Sequence, residues 1–353
     1  MEKNELSEKT PLNELDFGST DDEIEITPQR PKFVDEDEPS DDDEVPSKKN
    51  IARAIPNKIN NQLQFRPITD YIFANANTYD FKTWHQCFPD NKVCLKSLVF
   101  NPAWYEFFSI VEKRPYYKGI ERILSDHLAK KDHTIVPHAE LVFNSFNVLS
   151  PKNIKVVLIG QDPYPGATKI NNKWVPQAMG FSFSVPLNYT KPESLANIYK
   201  NMVDFGHILK VPDGGCLGGL VVQGFFMINA AFTTFFGTRN AHKSVWIEFT
   251  KDLLAYINKK CKNLVFVVWG KDAHMLCLNI DPNKHCIITS SHPSPLAFNK
   301  KFNGYTYGTY KNPRDRKNVT YLPFNSTDHF GRMNTYLKSV GKPEIFFDVI
   351  DLK

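Results

Sequence analysis

The chain has 353 residues, 41% of them hydrophobic and 23% charged, with a formal net charge of +4. That length accommodates a large core and the composition is that of an ordinary soluble globular protein. No run of 18 apolar residues occurs, so no transmembrane helix is expected. The polar, acidic N-terminus fits neither a secretory signal nor an Arg-rich transit peptide. The six cysteines (Cys87, Cys94, Cys216, Cys261, Cys277, Cys286) are scattered without a CxxC pair. They read as reduced and intracellular, not as a disulfide frame, a zinc site or an iron–sulfur site.

The net charge hides an asymmetry. Residues 1–50 carry 17 acidic and 6 basic residues, a net of −11, which leaves +15 on residues 51–353. A basic body suits a polyanion such as nucleic acid, although many basic surfaces are merely solvated. Residues 1–54 hold acidic blocks at Asp21–Glu23, Asp35–Glu38 and Asp41–Glu44 and few large apolar residues. Such a segment cannot offset the entropy of ordering, so disorder is expected. Lys48, Lys49 and Arg53 fit either a nuclear address or a solvated linker.

Residues 55–94 are mixed and aromatic (Phe65, Tyr71, Phe73, Tyr79, Phe81, Trp84) and are expected to pack on the body as an extension. From Leu95 to Leu128 the spacing is helical, with Trp104, Phe107, Phe108 and Val111 on one face and a break at Pro115. His138 to Phe146 leads into Val156–Ile159, a β-branched run that reads as a strand buried on both faces. Ala167–Val175 is polar and turn-like, an insertion. Gly180–Val185 alternates as a strand, and Ser194–Phe205 reads as a helix started by Pro192 and Glu193. A glycine-rich loop spans Gly214–Gly219. Buried strands follow at Gly224–Ala230, Leu264–Trp269 and Cys286–Thr289, with an amphipathic helix at Val245–Ile257. A second insertion, Tyr- and Asn-rich, covers 303–325, and a last helix runs from about Phe330 to Val340. Strand and helix alternate, which predicts an α/β fold: a central four-stranded, mostly parallel sheet with helices on both faces.

The four strands run into Asp162, Asn229, Gly270 and His292. Parallel strands bring those ends to one crevice, where α/β sheets bind ligands. Asp162 stands on a loop stiffened by Pro163 and Pro165. An Asp before a Pro is also an ordinary turn, so the whole string matters more than the pair.

That string, Gln161-Asp-Pro-Tyr-Pro-Gly166, resembles the water-activating loop of family 1 uracil-DNA glycosylases. Gly180-Phe-Ser-Phe-Ser-Val185, Pro192-Glu-Ser-Leu195, Gln223-Gly-Phe-Phe-Met-Ile-Asn229 and His292-Pro-Ser-Pro-Leu296 follow in the family's order. The resemblance covers about residues 95–353. It implies an α/β/α catalytic domain that hydrolyses the N-glycosidic bond of uracil in single- and double-stranded DNA, without metal or cofactor. By the same resemblance Asp162 orients the water and stabilises the cationic sugar. His292, as a neutral donor, hydrogen-bonds uracil O2. Asn229 reads O4 and N3–H, Tyr164 fills the space beside C5, and Phe183 stacks on the base. The Gln161 backbone contacts the base. Ser194, Gly270, Lys271 and Ser294 stand at DNA-backbone positions. Leu296 matches the leucine that fills the stack vacated by the flipped nucleotide.

The sequence departs from the family at Pro165, Met179 and Lys271. The first two stand where the family commonly has His, and Lys271 replaces a hydroxyl contact with a charge. The insertions flank the expected DNA side. A DNA-binding scaffold or processivity subunit that keeps the fold is the alternative function, and a glycosylase for another damaged base is a third; the Asp162/His292 pair argues against the scaffold. The expected protein is a monomer without membrane attachment, acting in the nucleus or another site of DNA replication. The acidic tail either screens the body or recruits a replication or repair protein.

Removing residues 1–54 strips a net of −10 and leaves a body of +14. If the tail screens, the truncated protein binds random DNA more tightly at low salt, with unchanged turnover. Fluorescence-anisotropy titrations across a salt series measure this, and equal or weaker binding refutes screening.

Overall fold

The computed structural model describes residues 66–348; the acidic tail, the Lys48/Lys49/Arg53 cluster and Phe65 lie outside them. The described residues belong to one compact unit. Its centre is a sheet of four parallel strands, β1 (Val156–Gly160), β2 (Phe225–Asn229), β3 (Val265–Trp269) and β4 (Cys286–Ser290), in the order β2-β1-β3-β4. The register pairs Gly160 with Asn229, Val156 with Val265 and Trp269 with Ser290. β1 and β3 are buried along their whole length, as β-branched runs covered on both faces should be. The chain leaves β1 toward one edge and returns to β3 on the other side. The switch point therefore lies at the carboxyl ends of β1 and β3.

Among the described residues six helices have seven residues or more: α1 (Tyr105–Val111), α2 (Pro115–Lys130), α3 (Glu193–Asp204), α4 (Lys243–Lys260), α5 (Lys271–Cys277) and α6 (His329–Ser339). Val157 and Ile159 of β1 face the core shared with α1, α2, α4 and α5. Val156 and Leu158 face the core shared with α3 and α6. The first core is dense in rings: Trp104 stacks on Phe226 at 5.1 Å, and Phe249 meets Phe107, Phe143 and Trp246. Buried indoles need a partner for N–H, and Trp104 donates to the Leu149 carbonyl at 2.8 Å.

Several local expectations change. Gly180–Val185 is not a strand. Gly180 and Phe183 have φ of +81° and +63°, which no ladder tolerates. The alternation is real but serves another purpose. The Ser182 hydroxyl bonds the Leu158 carbonyl, and the Ser184 hydroxyl accepts the Leu217 N–H, so the serines satisfy backbone groups that a strand would pair. The insertion at 167–175 is a hairpin, Ala167–Ile170 against Lys173–Pro176, turned by Asn171 and Asn172 at positive φ. Asparagine tolerates that conformation, and a two-residue hairpin turn needs it twice. The insertion at 303–325 likewise contains an antiparallel pair, Phe302–Tyr305 with Asn318–Tyr321. Pro115 opens α2 at its first turn, where no N–H is missed. The glycine-rich loop ends in a short helix, Gly218–Val221.

Residues 66–94 are woven into the body. Tyr71 and Trp84 are buried, and Trp84 donates to the Pro137 carbonyl. The hub is Glu140, 2% exposed. It accepts from Arg66 Nε at 2.8 Å, Tyr71 O–H at 3.0 Å and the Lys82 N–H at 2.7 Å. Glu140→Ala strands these donors, so chemical denaturation should show a loss of about 3 kcal/mol. A loss below ~1 kcal/mol, within the range of ordinary surface substitutions or a little above it, would mean that water replaces the carboxylate freely.

Candidate active site

The carboxyl ends of the strands form the site. β1 runs straight into Gln161 and Asp162, and the ladder continues past it: Ala230 N–H bonds the Gly160 carbonyl at 2.9 Å, and Ala231 N–H bonds the Gln161 carbonyl at 3.1 Å. Asp162 Oδ2 accepts the Asn240 N–H at 2.7 Å, while the Gln161 side-chain amide donates to Asn240 Oδ1 at 2.9 Å. Burial raises the Asp162 pKa; the Asn240 N–H, Arg239 and Lys243 oppose that, and Asp272 adds to it. Lys243 is itself paired with Asp272 at 2.9 Å.

Asp162, Tyr164, Phe183 and Asn229 line one pocket, together with Val142 and Phe232. Asn229 lies across Gly160. A Cβ there would stand 2.3 Å from Asn229 Oδ1, so only glycine leaves room for the amide. Tyr164 donates its hydroxyl to the Phe183 carbonyl at 3.3 Å. Phe183 is held in its left-handed conformation between Trp269, with ring centres 5.4 Å apart, and His292, at 5.8 Å.

His292 Nδ1 accepts the Ser294 N–H at 3.0 Å. The ring proton therefore sits on Nε2. Burial lowers the pKa to about 4, against the pull of Asp272 and with a further push from Arg239. A neutral imidazole with a free Nε2–H is a hydrogen-bond donor at neutral pH. Gly270, φ +88°, backs this ring; a Cβ there would lie 3.0 Å from His292 Cβ.

The family model described as the uracil DNA glycosylase superfamily matches residues 146–326. A relative named "Probable uracil-DNA glycosylase" from Acanthamoeba polyphaga mimivirus is 51% identical over 284 residues, 80% of this chain and 74% of that protein. The chain belongs to the uracil-DNA glycosylase superfamily. A crystal structure of mimivirus uracil-DNA glycosylase superposes with a TM-score of 0.75 at 50% identity, covering 80% of this chain and 99% of that one. The uracil-DNA glycosylase of Dichelobacter nodosus is 34% identical over 73% of this chain and 99% of its own length.

The residues expected at the DNA backbone are not among those that line the pocket of this superfamily member. Ser194 opens α3, whose Asn197 amide bonds the Pro293 carbonyl at 2.8 Å and so ties α3 to the His292 loop. Ser294 is half-buried on that loop, Lys271 is exposed on the first turn of α5, and Leu296 is 82% exposed. Met179 is buried in apolar surroundings, with Ser184 Oγ 3.4 Å from its sulfur. Pro165 offers its carbonyl to the Gly237 N–H at 2.9 Å. Sequence reasoning missed Arg239, Asn240, Lys243 and Asp272, which set the charge state around Asp162 and His292. A signal was present. Residues 236–242 follow the β2 end and precede α4, so they belong to the strand-end rim where ligands bind.

The two shifts give a pH profile with a definite sign. The single-turnover rate should fall on acidification as Asp162 takes up its proton, with a midpoint raised from the ordinary aspartate value. No step should occur near the usual imidazole pKa of 6.5, because His292 is neutral down to about 4. Nitrogen-15 NMR at pH 6 should show His292 protonated on Nε2 alone. A His292 resonance that titrates near neutrality would overturn the assignment.

Proposed function

We propose a division of labour among these residues for the hydrolysis of uracil from DNA. The chain is a DNA repair hydrolase: it removes uracil by cleaving the N-glycosidic bond and leaves an abasic site. Uracil departs as an anion while the sugar becomes oxocarbenium-like. An ionised Asp162 serves both ends of that change, orienting the attacking water and facing the cationic sugar. The Nε2–H of His292 meets the charge that grows on uracil O2. Support comes from the Ser294 N–H on Nδ1, which leaves that proton free. A neutral donor also avoids placing a second cation beside the sugar.

Specificity rests on an amide and a ring. Asn229 donates to uracil O4 and accepts from N3–H, a pattern opposite to that of cytosine. Tyr164 occupies the space where thymine carries its methyl, supported by its hydrogen bond to Phe183. Phe183 stacks on the base. The observation that carries this reading is the convergence of Asp162, Tyr164, Phe183 and Asn229 on one pocket. The scaffold alternative has no comparable support, since it needs none of the groups gathered there.

A paired base cannot reach such a pocket, so the nucleotide leaves the stack. Leu296, exposed on the loop that carries His292, fills the gap. The enzyme acts as a monomer on single- and double-stranded DNA, in a reducing compartment where DNA is replicated; six free cysteines support the compartment. Any contact with a replication or repair protein runs through the acidic tail.

Uracil release from single- and double-stranded oligonucleotides tests the reading. Asp162→Asn should slow single-turnover release by about 10²–10⁴-fold and leave binding largely intact, because the lost interaction belongs to the transition state. Leu296→Ala should slow release from duplex far more than from single strands, since only the duplex must be unstacked. Equal losses on both substrates with a lower melting temperature would make Leu296 a packing residue and misplace the DNA face.

A further inference from the structure

The hairpin that follows the catalytic loop carries Trp174, an exposed ring that its own packing does not use and that meets Phe236 from the segment between β2 and α4. Trp174 is 63% exposed and Phe236 is 46% exposed, with ring centres 6.2 Å apart at 58°. The hairpin is anchored by its other face. Thr168 accepts the Tyr189 hydroxyl at 3.0 Å, Val175 is fully buried, and Ile170 packs on the core of α3 and α6. At the tip, the Asn171 amide bonds the Asn77 carbonyl at 3.1 Å. Residues paired across an antiparallel ladder share a face, and Lys169 pairs with Trp174. Lys169 therefore stands beside the exposed indole, on the opposite face from Thr168, Ile170 and Val175.

The pair is continuous with the active site. Gly166 joins the catalytic loop directly to the hairpin, and the Gln177 N–H closes back on its carbonyl at 2.9 Å. Gly237, next to Phe236, bonds the Pro165 carbonyl at 2.9 Å. Arg239, whose charge reaches both Asp162 and His292, lies three residues past Phe236. The result is a pair of exposed rings with Lys169 beside the indole, on segments tied directly to the loop that carries Asp162.

We propose that Trp174, with Phe236 beside it, stacks on an unpaired base flanking the uracil in single-stranded DNA, while Lys169 faces the neighbouring phosphate. Every base has a π-face, so such a contact holds the strand without selecting sequence, as a repair enzyme requires. Cation–π attraction from nearby basic groups and charge complementarity with the backbone favour a nucleic acid over an apolar partner. In duplex the flanking bases stay paired and stacked, so the two rings serve single strands. This proposal rests on the uracil-excision reading and adds a subsite to it.

The test uses the full chain and short single-stranded oligonucleotides with one uracil. The nucleotides on its 5′ and 3′ sides are replaced in turn by abasic sites. Trp174→Ala should raise KM for the intact single strand about tenfold with kcat unchanged, within the range of base–aromatic stacking. Trp174→Phe should recover most of the loss. On one side of the uracil, an abasic flank should raise the wild-type KM equally and leave the Trp174→Ala value where it was, and uracil in long duplex should show little change. Three results overturn the proposal: an unchanged KM for Trp174→Ala, as a protein-docking role predicts; the same loss with and without flanking bases; or a fall in kcat with a lowered melting temperature, which marks a packing role. Failure of the excision reading is distinct, because wild-type protein would then release no uracil from any substrate.

Discussion

The parallel register between β1 and β2 is the constraint on which the site depends. It sets Gly160 opposite Asn229, and the amide lies where a side chain on residue 160 would be. A Cβ there would also stand 2.9 Å from Ser182 Cβ, so the same glycine admits the turn that carries Phe183. Beyond the last paired residues, the N–H groups of Ala230 and Ala231 hold the carbonyls of Gly160 and Gln161. Asp162 and Asn229 are therefore not placed independently. One continuous ladder sets their separation, and a one-residue slip would move both away from the pocket.

The same low-dielectric surroundings push two titrations in opposite directions. Burial raises the carboxyl pKa of Asp162 and lowers that of His292, favouring the uncharged form of each. For His292 that is the form the proposed chemistry needs. For Asp162 it is the wrong form for the proposed chemistry, and the Asn240 N–H and the charges of Arg239 and Lys243 oppose it. Arg239 acts favourably on both, since a cation lowers both pKa values: it keeps the carboxylate ionised and the imidazole neutral. Asp272 works against both, and its ion pair with Lys243 moderates that effect.

Much of this was readable from the sequence, for a physical reason. A β-branched run buried on both faces has few alternatives to a parallel strand, so Val156–Ile159, Gly224–Ala230, Leu264–Trp269 and Cys286–Thr289 declared the sheet. The residues just past those strands then shared a rim by topology alone. Period-two alternation was less reliable. Phe181 and Phe183 flank Ser182 as in a strand, but the signal cannot separate a ladder from a turn whose serines bond backbone groups. The two insertions read as polar loops because cross-strand pairing is a relation between distant residues, and only the Asn171–Asn172 turn marked the first hairpin locally. Asn240 was invisible because its contribution to Asp162 is a backbone N–H, which every residue but proline possesses.

Segment 139–148 explains how the N-terminal extension bears on the pocket. Its Glu140 gathers Arg66, Tyr71 and Lys82 from the extension. Four residues on, the Asn144 amide donates to the carbonyls of both Tyr71 and Met179, at 2.7 and 2.8 Å. Gly180 follows at once, and a Cβ there would fall 1.9 Å from the Leu141 carbonyl. The chain thus turns on Gly180 because it is pressed against the segment that holds the extension. Phe183 completes the turn with a positive φ that a bulky residue adopts only under constraint. The constraint comes from both sides: Trp269, His292 and the Tyr164 hydroxyl above, and the Leu141–Asn144 backbone and amide below. Met179 fits this arrangement where a histidine is common in the family. It is fully buried in the apolar cluster with the Ser184 hydroxyl against its sulfur, and an imidazole there would lose its solvation. The extension is therefore part of the support of the Phe183 ring, and its anchor is a buried carboxylate with three donors and not a surface contact.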